Sequence, residues 1–109
     1  MLFRFLFVVT DDARLMCLSR TSGKVRWISQ LKLYKNPKKP KNPYGWVGPV
    51  LAGGKLILGN THGELVFVSP TDGSISSTID LKDPISLQPV VANNTLYILD
   101  DKGRLTAFR

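Results

Sequence analysis

The chain holds a single cysteine, a single histidine and no stretch of sustained helical periodicity, and each scarcity removes a class of protein. Cys17 has no partner for an internal disulfide, and a lone thiol fits either the cytosol or the periplasm. His62 has no second histidine and no cysteine near it, so the spacing of a metal site is missing. No glycine-rich phosphate loop occurs. The apolar opening Met1–Val9 is too short to span a bilayer and lacks a small-residue cleavage site, and Asp11-Asp12 follow it. It reads as a strand. What the chain does have is 43% apolar residues, with seven prolines and nine glycines falling mostly between the apolar runs, as turns do.

The apolar runs repeat. Pro49–Leu58 returns 40 residues later as Pro89–Ile98, and the register carries on through Gly63 onto Gly103 and Leu65 onto Leu105. An earlier copy lies at an offset of 50, with Leu15 on Leu65, Gly23 on Gly73 and Leu31 on Leu81. The extra residues form an insertion near Tyr34–Pro43. A period of about 40 residues built from short apolar runs is the pattern of a β-propeller blade. Closed propellers need about four to eight blades, and 109 residues supply about two and a half. The expectation is an all-β fold, antiparallel four-stranded blades of an incomplete propeller, read as the C-terminal part of a larger wheel.

Turn chemistry divides each copy. Gly53-Gly54 and Asn93-Asn94 suit two-residue hairpins whose central residues need positive φ. Ser69–Gly73 and Ser19–Gly23 read as longer turns, and Thr61-His62-Gly63 and Asp101-Lys102-Gly103 as a third kind. This places a blade with strands near 4–10, 13–19 and 24–31, an inserted basic loop at 32–47, and a blade with strands near 48–52, 55–60, 64–69 and 74–81. An incomplete last blade follows at 88–92, 95–100 and 104–109. Leu65–Val68 and Leu96–Leu99 are apolar on both faces, which implies sheets covered on both sides. Ser74–Leu81 alternates, as an outer strand should.

Leu18-Ser19-Arg20-Thr21-Ser22-Gly23-Lys24-Val25-Arg26-Trp27 resembles the repeat of the quinoprotein-like β-propeller family, in which the tryptophan docks between blades. The next copy keeps Gly73 but has Ser77 where the tryptophan would fall. The repeat positions are therefore Gly23, Trp27, Gly63, Gly73 and Gly103. Gly48–Leu58, Gly63-Glu64-Leu65 and Pro70–Gly73 are similar to the closing blades of the BamB family, lipoprotein propellers of the outer-membrane β-barrel assembly machinery. That resemblance covers residues from about 7 to 109. It implies a non-enzymatic periplasmic scaffold, held at the outer membrane by a lipid anchor absent from this sequence. Its implied partner is the barrel-insertion subunit, and no cofactor is implied.

Residue by residue, the chemistry is sparse. Asp11-Asp12 and Asp100-Asp101 sit in corresponding turns, where aspartate serves local backbone hydrogen bonds better than acid–base work. Cys17, aligned with Phe67 and Ala107, reads as core filler. Asn93-Asn94-Thr95 fits a glycosylation pattern but lies in a tight hairpin. A quinone-dependent dehydrogenase built from the same blades, or a generic module binding peptides or anionic surfaces, are the alternatives.

The insertion is the unusual segment. Lys32–Trp46 contains Lys32, Lys35, Lys38, Lys39 and Lys41 with no acid, and without these five lysines the net charge falls from +7 to +2. Its prolines hold it extended. As a connection between blades it shares an end with Asp11, Asp12, Thr61 and His62. One reading is an anionic docking patch made of Lys35, Lys38, Lys39 and Lys41 with Tyr44 and Trp46 as aromatic anchors. The other, preferred, is a solvated loop with Tyr44 and Trp46 packed at the blade edge. Lysines without arginine or a recognised module speak weakly for nucleic acid. Exposed sheet faces at both ends predict self-association of the isolated chain.

Overall fold

The structure, a computed structural model, describes residues 4–34, 36, 38 and 41–109. Ten strands are found among them: β1 (Phe5–Val9), β2 (Arg14–Ser19), β3 (Val25–Gln30), β4 (Trp46–Ala52), β5 (Lys55–Asn60), β6 (Glu64–Val68), β7 (Ile75–Asp80), β8 (Val90–Ala92), β9 (Thr95–Leu99) and β10 (Leu105–Phe108). They form three antiparallel meanders: β1-β2-β3, β4-β5-β6-β7 and β8-β9-β10. The fold is all-β, as the repeat requires.

The central sheet explains why its strands are apolar on both faces. In β5 and β6 the pairs Leu56↔Val68 and Leu58↔Val66 alternate with Ile57↔Phe67 and Gly59↔Leu65. Successive side chains point to opposite faces of a strand, so the two sets serve two different cores. Leu56, Leu58, Val66 and Val68 pack with Ala13, Leu15 and Leu31 of the first sheet, with Phe7, Val9 and Trp27 at the margin. Ile57 and Leu65 pack with Leu96 and Ile98 of the third sheet and with Ile85. Each fully buried leucine or isoleucine contributes roughly 1.5–3 kcal/mol by leaving water.

The two connections between sheets cross one end of the stack, together with the β1–β2, β5–β6 and β9–β10 hairpins; this is the upper end. The β4–β5 and β8–β9 hairpins and the longer β2–β3 and β6–β7 turns make the lower end. The short connection seals the upper end of the second seam with Ile85. That side chain is fully buried and lies where a Cβ on Gly59 would come within 2.6 Å of it. Ile85 needs glycine beneath it.

Two details differ from the sequence-based expectation. The alternation expected over Ser74–Leu81 breaks at a bulge: Phe67 faces Ser77, but Val68 faces Ile75, so Ile75 is 52% exposed rather than inward. The first sheet has the same shift between Cys17 and Leu18. The inserted loop also ends earlier than position 47, because Trp46 and Val47 already pair with Asn60 and Gly59 as the start of β4.

Candidate interaction surface

The inserted loop is tied to the upper end of the central sheet. Tyr44 stacks on His62 with ring centroids 3.8 Å apart and planes 15° from parallel. The His62 Nε2–H donates to the Asn42 carbonyl at 2.9 Å, since a carbonyl can only accept. Gly45 N–H donates to the Thr61 hydroxyl at 2.9 Å and accepts from Thr61 N–H through its carbonyl at 3.0 Å. Trp46 Nε1–H reaches back to the Lys32 carbonyl at 2.8 Å, and Tyr44 N–H to the Leu33 carbonyl at 2.8 Å. The loop therefore lies beside Thr61 and His62, and Tyr44 is buried. Burial, with Glu64 as a smaller influence, pushes its phenol pKa up.

Of the six expected partner-contacting residues, Tyr44 faces inward and Trp46 is half-buried, while Lys38 and Lys41 are exposed. Lys35 and Lys39 lie outside the described residues. Sequence reasoning placed the loop beside His62 but missed the imidazole's use as its anchor. The only signal was an aromatic residue in the insertion and a histidine at the adjoining turn.

The upper turns are capped by one recurring position. Asn60 Oδ1 accepts from the His62 and Glu64 N–H groups at 3.0 Å each, and Asp100 Oδ1 does the same for Lys102 at 3.0 Å and Arg104 at 2.9 Å. Thr10, at the corresponding place in the first sheet, accepts from Arg14 N–H at 3.2 Å and donates its hydroxyl to Asp12. That hydrogen bond, followed by Arg14 at 3.3 Å, holds the Asp12 carboxyl below its ordinary value. Asp100 is thus occupied with backbone N–H groups, and Asp12 with the Thr10 hydroxyl and the Arg14 guanidinium. No group of three or more potential metal ligands occurs among the described residues.

The lower end holds the repeat's clasp. Trp27 of β3 crosses the first seam and donates Nε1–H to the Pro70 carbonyl at 3.0 Å, with Phe7 6.1 Å away ring to ring. Its ring lies on Gly73, where a Cβ would sit 2.6 Å from the indole. Gly73 has φ +80°, a conformation side chains seldom adopt. Gly63 instead faces the backbone of Lys82, 2.6 Å from where its Cβ would be, while Gly23 and Gly103 have open space around them. Cys17 pairs with Trp27 on the same face and is buried; burial pushes its thiol pKa up against a smaller pull from Arg26. A protonated, enclosed thiol is a poor nucleophile.

Charge is divided unequally between the ends. Seven of the eight acids lie on strand ends, turns and connections of the upper end: Asp11, Asp12, Glu64, Asp80, Asp83, Asp100 and Asp101. Among the described residues they face seven bases there, Lys32, Lys38 and Lys41 of the inserted loop included. The lower end carries Arg4, Arg20, Lys24, Arg26, Lys55 and Arg109 against Asp72 alone. Attributing the positive bias to the insertion is correct along the chain and incomplete in space.

Antiparallel sheets stacked face to face, with an indole from one clasped onto the turn glycine of the next, define a β-propeller of the quinoprotein-like repeat type. The family model described as outer membrane protein assembly factor BamB matches residues 33–109. The chain belongs to that family. A curated relative, outer membrane protein assembly factor BamB of Alkalilimnicola ehrlichii, is 32% identical over 111 residues, spanning 97% of this chain and 26% of the relative. The crystal structure of BamB from Moraxella catarrhalis superposes with a TM-score of 0.77 at 21% identity, covering 98% of this chain and 30% of that one. The chain thus spans between a quarter and a third of the length of these relatives.

Proposed function

We propose that the chain serves as part of a non-enzymatic scaffold propeller in outer-membrane protein assembly, binding a protein partner through its upper end. Family membership carries this reading: the family and its Alkalilimnicola ehrlichii relative are named outer membrane protein assembly factors. The proposed site is the periplasmic face of the outer membrane, held there by a lipid anchor, and the proposed partner is the barrel-insertion subunit. Lys38 and Lys41, exposed on a loop pinned by Tyr44 and His62, would meet an acidic patch of that partner, with Trp46 at the base of the loop. Pinning matters because a connection fixed at both ends loses less freedom on binding.

The test is co-purification of the full chain with barrel-assembly subunits. Lys38→Glu combined with Lys41→Glu should lower recovery about tenfold, corresponding to about 1.4 kcal/mol. Unchanged recovery would remove the loop from the interface. A bound quinone absorbance in the purified protein would overturn the non-enzymatic reading.

A further inference from the structure

The lower end of the stack is a cationic surface. Arg20 and Lys24 belong to the β2–β3 turn, Arg26 is the second residue of β3, and Lys55 opens β5 after the Gly53-Gly54 hairpin. All four are exposed, and they come from two different sheets. Asp72 is the single acid of that end among the described residues, and its carboxylate accepts from Ser74. The ion pairs Arg14–Asp12 and Lys102–Asp83 both lie at the upper end. Arg26 stands 5.3 Å over the Phe5 ring, a contact that holds the guanidinium without neutralising it. Like charges gathered at one end repel one another, and an anionic surface laid against them relieves that cost.

The same end offers an aliphatic contact but no exposed ring. Ile75, the first residue of β7, is 52% exposed at the bulge although its sheet has a neighbour on either side. No aromatic is among the exposed large apolar side chains of the described residues. Protein interfaces draw most of their affinity from aromatic and arginine anchors seated in pockets. Bases on separate turns beside an exposed isoleucine suit instead a broad surface of many anions, met without a fixed register. We propose that the lower end docks on an anionic phospholipid bilayer, its lysines and arginines among the headgroups and Ile75 adding apolar contact. The attraction of each base to such a surface falls off within a Debye length, so turns that project from the sheets are well placed to feel it. The docking extends the proposed function, which puts the chain at a membrane, and it directs Lys38 and Lys41 away from the lipid.

The test is co-sedimentation of the full chain with vesicles of phosphatidylcholine and phosphatidylglycerol in equal parts, against vesicles of phosphatidylcholine alone. Partition to the anionic vesicles only is expected, falling as salt is raised. Lys24→Glu combined with Lys55→Glu should lower that partition at least about tenfold. Both residues are exposed at turns, where such replacements leave the fold intact. Lys38→Glu with Lys41→Glu changes the net charge by the same amount at the other end, and should shift the partition by less than about twofold. Ile75→Ser should weaken it a few-fold. Vesicle binding needs no assembly subunit, so its failure and that of the upper-end reading are separable. Equal partition to both kinds of vesicle would overturn the proposal, as would equal losses from the two lysine pairs, which would reduce the effect to net charge. So would binding of soluble poly-glutamate, dependent on Lys24 and Lys55, without partition to vesicles; that result would assign the lower end to an acidic protein.

Discussion

The two seams between the three sheets are built from one repeat and finished in opposite ways. The first is closed below by Trp27, whose indole lies on Gly73 and donates to Pro70. The second is closed above by Ile85, seated on Gly59, and has Ser77 at the position that corresponds to Trp27. Each closure takes one large side chain and one glycine that makes room for it. Sheet stacking therefore does not by itself seal a seam: the strands bring two apolar faces together, and a residue near the edge determines whether water or another molecule can enter between them.

The largest expected effect tests that difference directly. Trp27→Ala removes a packed aromatic and its hydrogen bond and leaves a void beside Phe7 and Cys17, so a cost of about 3 kcal/mol is expected in urea unfolding. Phe108→Ala, at the second seam, truncates a partly buried ring and should cost about 1–2 kcal/mol. Equal losses would mean that the two seams are packed alike.

A smaller effect separates the glycines. Gly73→Ala meets both a left-handed φ and the Trp27 ring, and should cost about 2–3 kcal/mol. Gly103→Ala has nearly the same φ, +82°, with nothing near the added carbon, and should cost about 1 kcal/mol. In Trp27→Ala the excess at Gly73 should vanish, as a double-mutant cycle would record. An excess that survives would place the strain in the turn rather than in the clasp.

The sequence made the sheets legible because the repeat aligned three copies of the same turns, and glycine or asparagine at Gly53-Gly54 and Asn93-Asn94 fixed the hairpins. It also showed Trp27 and the serine that replaces it. It did not show what the indole lies on, because Gly73 is distant in sequence and meets Trp27 only in space. Ile85 was illegible for a related reason: a lone isoleucine in a connection gains its role only from Gly59, distant in sequence and directly beneath it in space. The charge pattern was half legible. Five lysines in one window are conspicuous along the chain, whereas Arg4, Arg20, Lys24, Arg26, Lys55 and Arg109 are scattered in sequence and gathered by topology. The acids that offset the loop were gathered in the same way. Tyr44 was open to two readings, a docking anchor or, preferred, a residue packed at the blade edge, and neither named His62, on which its ring stacks.

The smallest expected effect concerns acid, and it reaches only the first seam. The turn that receives Trp27 runs from Ser69 to Ser74 and is held by Asp72, whose carboxylate accepts from the Ser74 N–H at 3.0 Å and the Ser74 hydroxyl at 2.7 Å. Those bonds hold its pKa below the ordinary 3.8, the backbone bond first. A depressed carboxylate favours the fold while it is ionised. Its contribution is present above the unfolded value and is lost as pH falls through the lower folded one, so the window opens below 3.8. Asp72 is fully exposed, so water screens the effect and the change should be local. The Trp27 indole N–H resonance is the reporter, because Pro70 belongs to the same turn. It should move as the pH drops through this window in the native chain, and lose that component in Asp72→Asn. Ser74→Ala should return the midpoint toward 3.8, by removing the Ser74 hydroxyl bond, one of those that depress it. Resonances of Ile57 and Leu96, which belong to the core of the second seam, should stay still over the same range. If they move together with Trp27, the two seams respond to acid as one unit.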